Sequence, residues 1–249
     1  MKSTKHLALL CLTTLLISSF AWACTSDKKA CGGQCQQQTE EKACCGTCTS
    51  QTQATCPQSC GICFSQFKPE QWNLEGVDYK VVDFKGKKAL HIQKKNKDSK
   101  QDGVTAILKE LDFDNGTIEF DMASKIFSGV VFRAQGQEKA ERIYFRPFNS
   151  GTAKHNNSVQ YVAHGSENTW KYLRQNFPGK YEAGADLKEL EWFHVKLEVC
   201  CSYTKVFIDN ATEPCLVVKD LKYGQSKGQV GLWAWDGYFA NLKVTPKQS

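Results

Sequence analysis

From residue 64 onward, apolar side chains recur at every second position, in runs of three to seven residues separated by turn chemistry. This period-two pattern is the feature that most restricts the fold, because it suits strands with one buried and one open face and gives a helix no continuous apolar stripe. The runs are Tyr79–Phe84, Ala89–Gln93, Val104–Leu108, Thr117–Ala123, Gly129–Ala134, Arg142–Phe148, Ser158–His164, Phe193–Val199, Lys205–Asp209, Leu216–Val218, Gln229–Ala234 and Tyr238–Val244. Asn115-Gly116, Asn149-Ser150-Gly151, Pro178-Gly179 and Asp236-Gly237 supply turns between them. Only Gln137–Glu141 and Ala185–Glu191 read as short helices. Many short strands with little helix predict an all-β fold, a two-sheet antiparallel jelly-roll sandwich.

The preceding residues have a different character. Lys2 and Lys5 form a basic start, residues 7–20 are mainly apolar, and Ala21-Trp22-Ala23 offers an A-x-A cleavage site. Residues 1–23 therefore read as a signal peptide and the protein as exported. Cys24 follows the cut directly, as the lipidated cysteine does in a bacterial lipoprotein signal, although Trp22 stands where a small residue is usual. Lipid anchoring at the cell envelope and plain secretion are both open, and contact with a membrane is expected only through such an anchor.

Residues 24–63 contain nine of the thirteen cysteines and no Trp, Tyr or Phe. A segment so poor in large apolar side chains cannot offset its chain entropy by burial. Three C-x3-C units repeat within it, at Cys31/Cys35, Cys44/Cys48 and Cys56/Cys60. A disulfide-crosslinked spacer is the first reading. A tetrahedral zinc site at Cys45, Cys48, Cys60 and Cys63 is the second, with a gap shorter than usual between the two C-x2-C pairs. Dithiol exchange by CGTC or CGIC is the third, without the βαβ pattern that normally surrounds such motifs. Residues 64–249 form the folded domain.

The formal net charge of +6 falls to +4 without the leader, too little over this length to indicate nucleic acid. H-E-x-x-H, phosphate-loop and dinucleotide fingerprints are absent from the sequence. Three central runs share one division instead. Val130, Phe132, Ala134, Ile143, Phe145, Val159, Tyr161 and Ala163 fall on one face. Arg133, Tyr144, Arg146, Gln160 and His164 fall on the other. Such an open face suits a sugar: Arg133, Arg146 and Gln160 would bond hydroxyls or a carboxylate, and Tyr144, with Trp170 from the next loop, would stack on a pyranose ring. Two arginines suggest an anionic glycan. A solvated outer face is the competing reading.

In Gly116–Met122, Glu119 and Asp121 share the face opposite Ile118, Phe120 and Met122, with Cα atoms about 6.6 Å apart at strand spacing. Two carboxyl groups are what glycoside hydrolysis generally needs. Glu-Phe-Asp resembles the start of the E-x-D-x-(x)-E motif of family-sixteen β-glucanases, but Ala123 and Ser124 stand where the third acid belongs. Cys215 is expected to form a disulfide with Cys200 or Cys201.

Residues 70–246 resemble the concanavalin A-like lectin/glucanase superfamily, nearest to exported bacterial domains of the 3-keto-disaccharide hydrolase type and more distantly to laminin G-like modules. The matching stretches are Gly116–Phe120, Ser128–Arg133, Val159–Tyr161, Trp192–Lys196, Val206–Asn210, Gly228–Trp233 and Phe239–Leu242, in that order along the chain. The resemblance implies a jelly roll whose concave sheet faces sugar and carries Arg133 and Gln160. Some relatives hold structural calcium; no acidic cage for it is visible in the sequence, and no cofactor is expected. Fold alone does not settle activity. A glycan-binding domain, a glycoside-processing hydrolase using Glu119 or Asp121, and a laminin G-like protein-interaction module are the three functional readings.

Overall fold

The computed structural model describes residues 64–95 and 103–247. The expectations for Cys24, Cys45, Cys48, Cys60 and Cys63 lie outside the described residues. Within them, fourteen strands form two seven-stranded antiparallel sheets. The first contains β1 (Trp72–Asn73), β4 (Val104–Leu108), β13 (Gln229–Ala234), β6 (Ser128–Gln135), β7 (Lys139–Phe145), β8 (Val159–His164) and β9 (Glu182–Ala183), in that spatial order. The second contains β12 (Leu216–Val218), β11 (Tyr203–Ile208), β10 (Phe193–Cys200), β5 (Gly116–Ser124), β14 (Asp236–Pro246), β3 (Lys87–Lys94) and β2 (Val77–Phe84). This is the expected two-sheet antiparallel jelly-roll sandwich.

Alternation builds the core. Val130, Phe132, Ile143, Phe145, Val159 and Tyr161 of the first sheet are fully buried, as are Ile118, Phe120, Met122, Val195, Leu197 and Phe239 of the second. Phe145 meets Phe193 across the gap, ring centroids 5.6 Å apart. The register in the first sheet pairs Ile143 with Val130 and Tyr161, and Tyr144 with Gly129 and Gln160, so the two faces stay distinct over three strands. Ser128-Gly129 lets β6 and β7 approach closely: a Cβ on Gly129 would lie 2.1 Å from the Ile143 carbonyl oxygen.

Both expected helices are replaced. Residues 137–141 turn into β7, which puts Glu141 on the core face, where it accepts from the Tyr161 hydroxyl (2.6 Å) and the Tyr223 amide (2.9 Å). Residues 185–191 form irregular chain and a turn with Leu190 at φ +56°. The helix that does form is α1, Trp170–Asn176, whose start is capped by Thr169 accepting from the Tyr172 amide. At seven residues it is too short to show helical periodicity in sequence, and Leu173 alone anchors it in the core. Pro147 ends the run expected to reach Phe148, opening a 3-10 turn over Pro147–Asn149.

The expected disulfide does not form: Cys200, Cys201 and Cys215 remain thiols. Register explains why. Cys200 pairs with Tyr203, whereas Leu216 pairs with Val206, which puts Cys215 beside Phe207. Four residues along β11 separate the two positions, about 13 Å, far beyond the Cα spacing a disulfide spans. Burial pushes the Cys215 thiol up to about 11.

Candidate functional site

The outer face of the first sheet carries a pocket of 380 Å³, within the size range of small-ligand sites. Its floor is made by Arg142 and Tyr144 of β7 and Trp233 of β13, all facing away from the second sheet. One wall is Phe127, from the β5–β6 turn, with Trp235, which follows β13; their rings lie 5.1 Å apart and the Trp235 amide donates to the Phe127 carbonyl at 2.9 Å. The opposite wall is the turn after β8, His164-Gly165-Ser166, and the start of α1, Thr169-Trp170. Trp170 and Trp235 are exposed at 47% and 36%, while Trp233 and Tyr144 are nearly buried, so the aromatic lining runs from rim to floor. Gly103, at φ +74°, makes room for the floor: a Cβ there would come within 2.6 Å of the Trp233 indole.

Arg142 sets the electrostatics. Its guanidinium carbon lies 4.4 Å from the Trp233 ring centroid and 5.9 Å from that of Tyr144, and Nη2 is 2.9 Å from His164 Nδ1. Arginine can only donate, so Nδ1 accepts and the neutral His164 ring carries its proton on Nε2. Among the described residues that line the pocket, Arg142 is the one permanent charge and none is an acid. A guanidinium laid over aromatic faces is held there by attraction to the ring quadrupoles.

The sequence-derived residues divide sharply. Tyr144 and Trp170 line this pocket. Gln160 and Arg146 lie beside it; like Arg142 they are buried, and both are satisfied internally. The Gln160 amide donates to the Tyr161 and Tyr181 carbonyls, and Arg146 donates to the Asn157 carbonyl (2.7 Å) and the Tyr144 hydroxyl (2.6 Å).

Arg133 is not on this face. A β-bulge interrupts β6, with Phe132 and Arg133 together opposing Val230 of β13. Arg133 takes φ +52°, which turns its side chain out of the alternation. It is 2% exposed and donates to the carbonyls of Asp114 (2.8 Å), Gly224 (2.6 Å) and Cys201 (2.6 Å). It is a clasp joining three loops at the end of the sandwich, not a groove residue. Burial pulls its pKa down; the Glu141 carboxylate and Asp114 pull it back up.

Glu119 and Asp121 lie on β5 in the second sheet, with their strand-mates Ile118, Phe120 and Met122 in the core. They therefore face away from the first sheet and its pocket. Asp121 accepts from His194 Nδ1 (2.8 Å), Lys87 Nζ (2.7 Å) and Asn241 Nδ2 (2.6 Å). Burial pushes its pKa up, but these bonds outweigh it and hold the group at about 2. Such a carboxyl has no proton to give at neutral pH. Glu119 pairs with Lys243 at 3.5 Å. Among the described residues no three His, Cys, Asp or Glu side chains are grouped to hold a metal ion.

Arg142, Trp233, Trp235 and Phe127 were missed in sequence. Arg142 shares the parity of Tyr144 and could have been found by extending that alternation by two residues. Trp233 lies in a run whose core face, Val230 and Leu232, marks it as outward. Phe127 and Trp235 lie in turns, where periodicity gives no signal.

No family model matches the chain, and no curated protein matches it. Solved structures do. A carbohydrate-binding module (CBM66) from Bacillus subtilis is 15% identical, covering 72% of this chain and 96% of that one, with a TM-score of 0.47. A prokaryotic β-1,3-1,4-glucanase (lichenase) derived from a mouse hindgut metagenome is 12% identical over 75% of this chain and 98% of that one, TM-score 0.48. A galectin from Caenorhabditis elegans is 10% identical over 58% and 91%, TM-score 0.37. Likenesses at this level carry no inference about ligand or activity, which rest on the pocket itself.

Proposed function

We propose that the outer-face pocket binds a saccharide bearing a carboxylate or sulfate, and that the protein binds glycan rather than cleaving it. The observation that carries this reading is the Arg142 guanidinium laid against Trp233 and Tyr144 in a pocket without an acid. Aromatic side chains from floor to rim offer flat apolar surfaces to the C–H faces of sugar rings. The Arg142 guanidinium, a planar fork of N–H donors, suits an oxyanion on the ring. Acid–base hydrolysis would generally require two carboxyl groups across the scissile bond, and neither Glu119 nor Asp121 reaches the pocket. The leader and the Cys-rich segment add that this module is exported on a crosslinked spacer, secreted or lipid-anchored.

The test is a panel of neutral and acidic oligosaccharides offered to the purified protein, scored for retention and for product. The reading expects retention of uronate or sulfated members, no product, and loss of retention in Arg142→Ala. Product release that disappears in Glu119→Gln and Asp121→Asn would replace it with hydrolysis. Absence of any glycan retention would replace it with a protein-interaction role.

A further inference from the structure

Cys200 ends β10 and pairs with Tyr203, which leaves Cys201 and Ser202 as the two-residue turn into β11. Cys201 has φ +54°, a left-handed conformation normally occupied in such turns by Gly, Asn or Asp. Its surroundings hold it there. The Cys201 amide donates to Asn115 Oδ1 at 2.6 Å, and its carbonyl accepts from the Arg133 guanidinium at 2.6 Å. The Cys200 and Cys201 sulfur atoms are 3.6 Å apart, and both residues are partly exposed. A strained non-glycine backbone, clamped from two sides, thus presents two neighbouring thiols at the surface.

We infer that Cys200 and Cys201 are a redox-active dithiol that closes reversibly to a vicinal disulfide. The oxidant is a small-molecule disulfide of the glutathione class. One cysteine thiolate attacks an oxidant sulfur, forming a mixed disulfide and expelling one small thiolate. The second cysteine thiolate attacks the protein sulfur of that mixed disulfide, forming the Cys200–Cys201 bond and expelling the other. The pair loses two protons and two electrons, and the oxidant is reduced to two thiols. Adjacent Cα atoms are about 3.8 Å apart, closer than in ordinary disulfides, so the ring is strained and readily reopened.

The test equilibrates the full-length protein, folded and in urea, across a series of reduced and oxidised glutathione ratios, then alkylates and digests it with trypsin. The peptide spanning Leu197–Lys205 contains both cysteines and no others. In the folded chain it is expected to pass from doubly alkylated to an unalkylated form about 2 Da lighter than the dithiol, at a roughly tenfold lower oxidant ratio than in urea. Cys201→Ser is expected to leave Cys200 alkylated or singly glutathionylated. The inference is overturned if both cysteines stay alkylatable at every ratio. It is equally overturned if the peptide is linked to glutathione or to another peptide instead, or if folded and unfolded chains close at the same ratio.

Discussion

The outer faces of the two sheets make opposite use of charge. On the second sheet two acids are answered in place, Asp121 by His194, Lys87 and Asn241, and Glu119 by Lys243. On the first sheet Arg142 rests on aromatic rings and a histidine, with no acid lining its pocket. Both surfaces come from the same period-two strands. The first face sets its arginine over aromatic rings, whereas the second pairs these two acids with cations.

The comparison can be broken by substitution. Arg133→Met should have the largest effect, on stability: three buried carbonyls lose their donor, costing about 3 kcal/mol or more and lowering the thermal midpoint by roughly 10 °C, measurable by calorimetry. If instead it removes glycan retention without destabilising the fold, Arg133 belongs to the site after all. Arg142→Ala should weaken retention of an acidic oligosaccharide about 30-fold or more, the worth of a charge-assisted bond, while Arg142→Lys restores only part of it. Because the folded Asp121 pKa of about 2 is below the ordinary 3.8, its carboxylate contributes stability at pH above 4. That contribution, up to about 2 kcal/mol, is lost as pH falls from 4 towards 2, and urea denaturation of Asp121→Asn should show a flatter acid limb than wild type. Trp170→Ala, on an exposed helix start, should cost about tenfold in affinity and little in stability. Glu119→Gln should be smallest, within about 0.5 kcal/mol by denaturation and silent in retention, because its ion pair is partly solvated.

The strands and the core were legible because alternation is a local signal, whereas Asp236-Gly237, expected as a turn, opens β14 instead. All twelve expected runs are strands, missing only the two-residue β1 and β9. The site was legible in part. Tyr144 and Trp170 were reached by parity and by proximity in sequence. Arg133 was misread because a bulge adds one residue to β6, and one added residue is enough to move a side chain between faces. Gln160 and Arg146 have the right parity, but the Tyr181 and Asn157 carbonyls hold them, and parity carries no information about which loops take up a side chain. The Cys215 pairing failed for a related reason: closeness in sequence across a hairpin does not set register.

The pocket can be interrogated through its own indole groups. Trp170, Trp233 and Trp235 line it, while Trp72 lies at the edge of the first sheet on β1 and Trp192 precedes β10 beside Phe84 of the second. Nitrogen-15 spectra of the indole N–H signals, recorded during titration with a uronate oligosaccharide, should show the first three moving together and the other two still. Movement of Trp192 alone, or of no indole at saturating saccharide, would contradict a glycan site on the Arg142 face.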